Sequence, residues 1–210
     1  MKTDSLANKV YVELRRKILS NQLVPGMRLK EDMWAKKMEV SRMAVREALT
    51  RLLGENLVVF GEKGGYFVKS MNVDDIRQIR QLRELLELGA LRLAIQRTDN
   101  EHIQLLEKIC DDFTGMVEKG YLGGACEADM KFHETLIASA CNAKLMELYQ
   151  FSNIPLFHMK LGNLQMDDYS LTDAEHRQIV AALKKKDLKL AEEALVKHLV
   201  RGELTSLEVE

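Results

Sequence analysis

Three histidines and one aspartate in the C-terminal two-thirds of the chain carry the spacing of a metal site. Asp129 and His133 are four residues apart, so on a helix they share one face. Phe132, Leu136, Ile137 and Ala140 share or adjoin that face. An aspartate among apolar residues is costly unless it is paired or bound to a cation. A lone histidine there reads most simply as a hydrogen-bonded core residue; Asp129 beside it shifts the balance toward a ligand pair. His176 falls with Ile179, Val180 and Leu183, and His198 with Ala191, Ala194, Leu195 and Leu199. Asp187 joins the two segments, and each histidine is eleven residues from it. In an antiparallel helical hairpin, residues equidistant from the turn lie at one height, so both imidazoles can meet Asp129 and His133. Three imidazoles and a carboxylate suit Zn²⁺ first, with Ni²⁺ or Mn²⁺ as alternatives. Each imidazole must bind as the neutral form, its second nitrogen fixed by an acceptor.

His102 and His158 stand outside this set. His102 follows Glu101 at a helix start and reads as solvated. His158, after Pro155, reads as a core or cavity-lining residue and is the one reserve ligand.

A different chemistry is written near the N-terminus. Ser41 is a good N-cap for a helix opening Arg42-Met43-Ala44-Val45-Arg46. Arg42 and Arg46 share one face, while Val45, Leu49, Leu52 and Leu53 offer an apolar one. Arginine is the commonest reader of guanine in the DNA major groove. A capped surface helix with solvated arginines explains these residues equally well, and the flanking segments decide.

Those segments have a recognisable order. Ala7 to Asn21 carries Val10, Leu14, Ile18 and Leu19 at helical spacing, and Pro25-Gly26 stops it. Glu31 to Met38 is a short helix with Met33, Trp34 and Met38 for the core. Glu39-Val40 leads into the arginine helix, making a helix-turn-helix. Leu57–Phe60 and Tyr66–Val68 read as strands around a flexible Gly61-Glu62-Lys63-Gly64-Gly65 turn. Lys63 puts positive charge at its tip, and Gly64 and Gly65 allow close backbone approach. Helix, helix-turn-helix and hairpin together make a winged helix.

The charge is divided accordingly. Residues 1–70 hold 14 Lys+Arg against 8 Asp+Glu, a net of +6, whereas residues 71–210 have a net of −7. A near-neutral chain thus carries a basic N-terminal third, the footprint of phosphate binding. Ser70-Met71-Asn72 marks the boundary, giving domains 1–70 and 71–210. Beyond it the periodicity predicts six helices, Val73–Gln96, Asn100–Lys119, Leu122–Ala140, Ala143–Leu161, Thr172–Lys186 and Leu188–Leu207, and no strand. The fold class is therefore mainly α, a winged helix-turn-helix domain followed by an all-α six-helix bundle.

Composition sets further bounds. Hydrophobic residues make up 46% of the 210, enough for a packed core, so disorder is not the default. No apolar run approaches the ~20 residues that span a bilayer. The N-terminus lacks a signal peptide's apolar core. Cys110, Cys126 and Cys141 are odd in number and show no CxxC spacing, and read as reduced thiols in the packing. The expected location is cytoplasmic.

Two resemblances follow. Tyr11-x-x-Leu14-Arg15, Pro25-Gly26-x-Arg28-Leu29-x-Glu31, Val40-Ser41-Arg42-x-x-Val45-Arg46-Glu47-Ala48-Leu49 and Gly64-Gly65-x-Phe67-Val68 resemble the GntR family of bacterial transcription regulators. The resemblance implies that Arg42 and Arg46 face bases or phosphates and that the Lys63–Gly65 tip enters the minor groove. Ala44 stands where many members have proline or threonine, and Asp32 where some have a further DNA-contacting arginine. Asp129-x-x-x-His133-x-x-Leu136 running on to Cys141-Asn142-x-x-Leu145, with Glu175-His176-x-x-Ile179, Lys197-His198-Leu199 and Arg83-Glu84-Leu85-Leu86-Glu87, is similar to the C-terminal FCD domain of the FadR subfamily. In that family's metal-binding branch the positions of Asp129, His133, His176 and His198 are the ligands.

The resemblances imply a ligand-responsive transcription regulator, a repressor in the first instance and not an enzyme. Its expected partners are a second copy of itself, a pseudo-palindromic operator and a small carboxylate effector on the metal. Arg83 is the candidate second anchor for that carboxylate; a solvated helix arginine is the competing account. A metal sensor, in which the cation is the signal, would use the same ligands. A metalloenzyme is disfavoured: Glu134 and Glu175 each neighbour a ligand histidine but project about 100° away around the helix, leaving no general base.

Overall fold

A computed structural model of the chain describes residues 5–154 and 166–207. It divides into two compact units, Met1–Met71 and Asn72–Glu210.

The first unit opens with α1, Leu6–Leu19, capped by the Ser5 hydroxyl, which accepts from the Asn8 amide at 3.1 Å. It buries Val10, Leu14, Ile18 and Leu19. Then come β1 (Arg28–Leu29), α2 (Glu31–Met38), α3 (Arg42–Gly54), β2 (Val58–Phe60) and β3 (Tyr66–Val68). The three strands form one antiparallel sheet in the order β1-β3-β2, with Arg28 opposite Phe67 and Val59 opposite Phe67 on the other side. The β1 strand is an addition to the sequence reading. Two residues carry no periodicity of their own, and β3 recruits them once Pro25-Gly26 has turned the chain, the Gly26 amide donating to the Val68 carbonyl at 2.9 Å.

Two core assignments need correction. Met33 is 49% exposed and Met38 only partly buried, so Trp34 alone anchors α2. On α3, Val45, Leu49 and Leu52 are buried with Ala48, but Leu53 is 38% exposed. The apolar stripe is satisfied by four positions, and Leu53 lies one step past its edge. Burying each of these leucines contributes about 1.5–3 kcal/mol, which fixes α3 by its inner face and leaves its outer face to carry charge.

The second unit holds six helices among the described residues: α4 (Val73–Arg97), α5 (Asn100–Glu118), α6 (Leu122–Ala138), α7 (Ala143–Phe151), α8 (Met166–Lys184) and α9 (Leu188–Leu207). Asn72 and Asp75 form a capping box at the start of α4, each side chain bonding the other's backbone amide at 2.9 Å. α5 packs on α6 and α8, α8 on α9, and α4 on α9 and α6. Their shared core runs through Leu91, Leu106, Phe113, Phe132, Leu136, Ile179 and Leu195.

Two helix boundaries depart from the sequence reading by more than two residues. α7 stops at Phe151, because Asn153 takes a left-handed backbone (φ 47°). Residues 155–161 of the expected Ala143–Leu161 helix, with His158, lie outside the described residues. α8 begins at Met166 instead of Thr172. Asp167 and Asp168 in its first turn favour a helix N-terminus electrostatically, and Tyr169 is buried against Phe113, ring centroids 6.4 Å apart.

Candidate metal centre and nucleic-acid interface

α6 supplies Asp129 and His133 one turn apart, α8 supplies His176 and α9 supplies His198. The α8–α9 hairpin turns at Lys186-Asp187, where Lys186 has φ 56° and the Asp187 side chain accepts from the Leu190 amide. That turn brings the His176 and His198 rings to 4.8 Å. All four side chains are buried, and one ligating atom from each lies within 4.8 Å of all the others. Asp129 Oδ1 is 3.3 Å from His176 Nε2 and 3.9 Å from His133 Nε2.

The second nitrogens define the chemistry. His133 Nδ1 faces Glu87 Oε2 at 2.8 Å, and His198 Nδ1 faces Glu175 Oε2 at 2.9 Å. A carboxylate only accepts, so each Nδ1 carries the proton. The two Nε2 atoms, 3.2 Å apart, then turn lone pairs on each other. Burial pushes the His133 imidazole down to about 4, against the pull of Glu87, so it is neutral near pH 7. One extra proton would bridge two nitrogens; a metal ion serves all four donors. His176 is held differently, stacked on Phe132 with centroids 3.8 Å apart and 9° between planes. Its Nε2 is buried without a hydrogen bond among the described residues. The cluster therefore fits a divalent cation.

Each carboxylate behind a histidine is itself clamped. Arg83 Nε donates to Glu87 Oε1 at 2.8 Å. Burial alone would raise the Glu87 carboxyl, but the Arg83 charge and the hydrogen bonds from His133 and Arg83 outweigh it and hold it at about 2. Arg201 donates to Glu175 at 2.8–3.0 Å and to the Thr172 hydroxyl at 2.7 Å. Sequence reasoning set Glu175 aside for its angle from His176; its partner is His198, across the helix pair. The angle was right, and the reach of the side chain to α9 was the missing signal. Glu87 entered only through the family resemblance. Arg83 is buried, not solvated, and its Nη2 has no hydrogen-bond partner among the described residues. His102 bonds Asp99 at the start of α5, far in role from this cluster.

In the first unit, Ser41 caps α3 by accepting from the Ala44 amide at 3.2 Å. Glu39 takes a left-handed backbone (φ 55°) to end α2. Arg42 and Arg46 both project from α3 into solvent. Each meets a carboxylate of α2: Arg46 is bidentate to Glu31 at 2.9 and 3.0 Å, and Arg42 pairs with Asp32. The Arg46 hydrogen bond holds the Glu31 carboxyl below its usual range. At the tip of the β2–β3 hairpin, Lys63 is exposed. Gly64 and Gly65 have φ of 83° and 96°, which only glycine adopts without strain. Their first role is thus to form the turn, the Gly61 amide donating to Gly65 and the Gly64 amide to Gly61.

Comparison with known proteins places this architecture. Residues 6–68 match the model of the bacterial regulatory proteins of the gntR family, and residues 78–201 match the FCD domain. The chain belongs to the gntR family and carries an FCD domain. It is a transcriptional regulator, and its relatives are regulators, not enzymes. The regulator is 29% identical over 194 residues to the uncharacterized HTH-type transcriptional regulator YdhC of Bacillus subtilis, covering 90% of this chain and 85% of that one. It is 24% identical over 200 residues to the HTH-type transcriptional repressor RspR of Escherichia coli, covering 94% and 87%. Its fold matches the solved structure of Escherichia coli McbR/YncC with a TM-score of 0.86 at 21% identity, over 98% of this chain and 99% of that one. Regulators of this family bind DNA operators. Among the described residues, no helix is long and apolar enough to cross a membrane.

Proposed function

We propose that the regulator is a homodimeric repressor that releases a pseudo-palindromic operator when its C-terminal bundle binds a small carboxylate on a divalent metal. The observation that carries this reading is the facing pair of Nε2 atoms on His133 and His198, each with its Nδ1 committed to a carboxylate. Asp129, His133, His176 and His198 would hold the ion, zinc first and nickel or manganese next. The ion would supply a positive centre for carboxylate oxygens, stronger in a core that excludes water. Arg83 supports the acid's second attachment, since it is buried, cationic and has an Nη2 to spare.

On the DNA side, Arg42 and Arg46 would contact bases or phosphates from the exposed face of α3, with Ser41 at its N-terminus. Lys63, Gly64 and Gly65 would reach the minor groove. A dimer places two such helices on successive half-sites. Repression as the sign of control is supported by the relative RspR, named as a repressor. Binding of the acid shifts the DNA-binding equilibrium only as far as the two states differ in affinity for it.

The test is a thermal-shift and operator-binding screen of small mono-, di- and hydroxycarboxylates, with and without chelator. At least one acid stabilises the metal-loaded chain, weakens operator binding, and loses its effect after chelation or in Arg83→Ala. Operator binding that tracks the metal alone instead establishes a metal sensor. Equal stabilisation by neutral compounds after chelation overturns the carboxylate-on-metal reading.

A further inference from the structure

The metal cluster is enclosed, so an acid that binds there needs a way in. α4 offers one. Arg77, Arg80 and Arg83 follow at intervals of three residues, over about 9 Å of helix axis. Their side chains are 52%, 19% and 6% exposed. Exposure falls along the line, and Arg83 at its inner end bonds Glu87, which faces His133.

Each outer arginine also holds a carboxylate of α4, Arg77 Nη1 lying 3.7 Å from Asp74 Oδ1 and Arg80 Nη1 pairing with Glu84, and α9 closes the line with a third. Glu203 Oε2 lies 2.6 Å from Arg80 Nε, and Glu203 Oε1 lies 3.8 Å from Arg77 Nε. Glu203 is one wall of a cavity of about 20 Å³ whose lining includes Ile76, Arg80, Arg83, Leu199 and Gly202. That volume holds one water and no acid. Leu199 follows the ligand His198, and Gly202 adds no side chain to the wall. At the inner end stands Arg83, its buried Nη2 without a hydrogen-bond partner among the described residues. A buried guanidinium N–H left unpaired costs free energy unless something else accepts from it.

We propose that Arg77 and Arg80 form an outer carboxylate site, filled at rest by Glu203, through which the effector passes to Arg83 and the metal. The inference rests on the metal-and-acid reading above and adds the route. Glu84 stays on Arg80 Nη1 while the acid replaces Glu203 at Nε, so Arg80 is paired throughout and the electrostatic cost of admitting the acid is small. A neutral molecule gains nothing from displacing Glu203. The gate therefore selects by charge before the metal does.

The probe is dipicolinate, an anionic dicarboxylate chelator, against the neutral chelator 1,10-phenanthroline. Each is mixed with the zinc-loaded full chain, and zinc release is followed in time at several chelator concentrations. Glu203→Gln raises the dipicolinate rate, and Arg80→Gln lowers it by about fivefold or more, as loss of a steering charge does. Arg80→Lys restores it. Phenanthroline rates stay within about twofold in all variants, and high salt slows dipicolinate selectively. Melting temperatures recorded beside the rates separate steering from loosening. Equal changes for both chelators, unchanged dipicolinate rates, or release independent of dipicolinate concentration each overturn the route. Zinc content before mixing separates the failures. A chain that holds no zinc defeats the metal reading and this inference with it. Full zinc with insensitive rates defeats the route alone.

Discussion

His133 and His198 turn their Nε2 atoms toward each other at 3.2 Å, while Glu87 and Glu175 hold the opposite nitrogens at 2.8 and 2.9 Å. In the proposed site the pairing would divide labour between the metal-facing nitrogens and the carboxylates that orient the rings. His176→Ala and His198→Ala should each lower metal content and melting temperature together, because a cation bound only by the folded state stabilises it. Glu87→Gln and Glu175→Gln should keep the ion but weaken its binding about 10–100-fold. Glu87→Ala should instead cost about 3–5 kcal/mol of stability, since it strands the buried Arg83 charge. Metal analysis, competition with a zinc indicator and thermal melts check these. Full metal content in both histidine variants would overturn the site.

Arg42 and Arg46 should govern operator affinity. Without DNA, each is paired to a carboxylate of α2, Arg42 to Asp32 and Arg46 to Glu31. Exposed pairs of this kind contribute little to stability, so their loss is read in binding, not in melting. Arg42→Ala or Arg46→Ala should cost about 1–3 kcal/mol and relax preference at one operator position. Asp32→Asn should do the opposite on all DNA, specific and non-specific, since it removes a negative charge facing phosphates. Fluorescence anisotropy over a salt series separates the two behaviours. Unchanged operator affinity in both arginine variants would sink the assignment of α3.

The clustering of the four side chains was legible because its rules are local. Asp129 and His133 need only a helical turn, and His176 and His198 only equal distances from Asp187. What orients them was not legible. Glu87 lies 46 residues from His133 in sequence and meets it through the packing of α4 on α6. Glu175 is adjacent to His176 but bonds His198, across the α8–α9 hairpin. In the first unit the order of helices and hairpin was readable from periodicity and turns. The two-residue β1 was not, nor was the exposure of Met33 and Leu53, which tertiary neighbours decide.

The wing tests separate backbone from charge. Gly64 and Gly65 both have positive φ, but a Cβ on Gly64 meets open space while one on Gly65 would sit 3.3 Å from the Arg28 guanidinium. Gly65→Ala should therefore lower the melting temperature more than Gly64→Ala, each bearing about 1 kcal/mol or more of backbone strain. Lys63→Ala should leave stability alone, weaken DNA binding evenly across sequences and reduce the salt slope by about 1. Equal melting temperatures in the two glycine variants would mean that Arg28 gives way freely.

The cysteines give a last check on the packing of the bundle. Cys110 and Cys126 are buried on α5 and α6, and burial pushes both thiols up to about 12, aided by the charges of Asp173 and of Asp129 respectively. At pH 8 neither forms the thiolate that reacts. Cys141 is exposed after α6. A thiol reagent at pH 8 should thus modify one cysteine per native chain quickly, and three in denaturant. Cys141→Ser should abolish the fast phase. If the proposed ion is bound, its removal should speed the reaction of Cys126, which shares α6 with Asp129 and His133, more than that of Cys110, because it would loosen that helix. Fast labelling of Cys126 in the metal-loaded chain would mean that α6 is not packed as described.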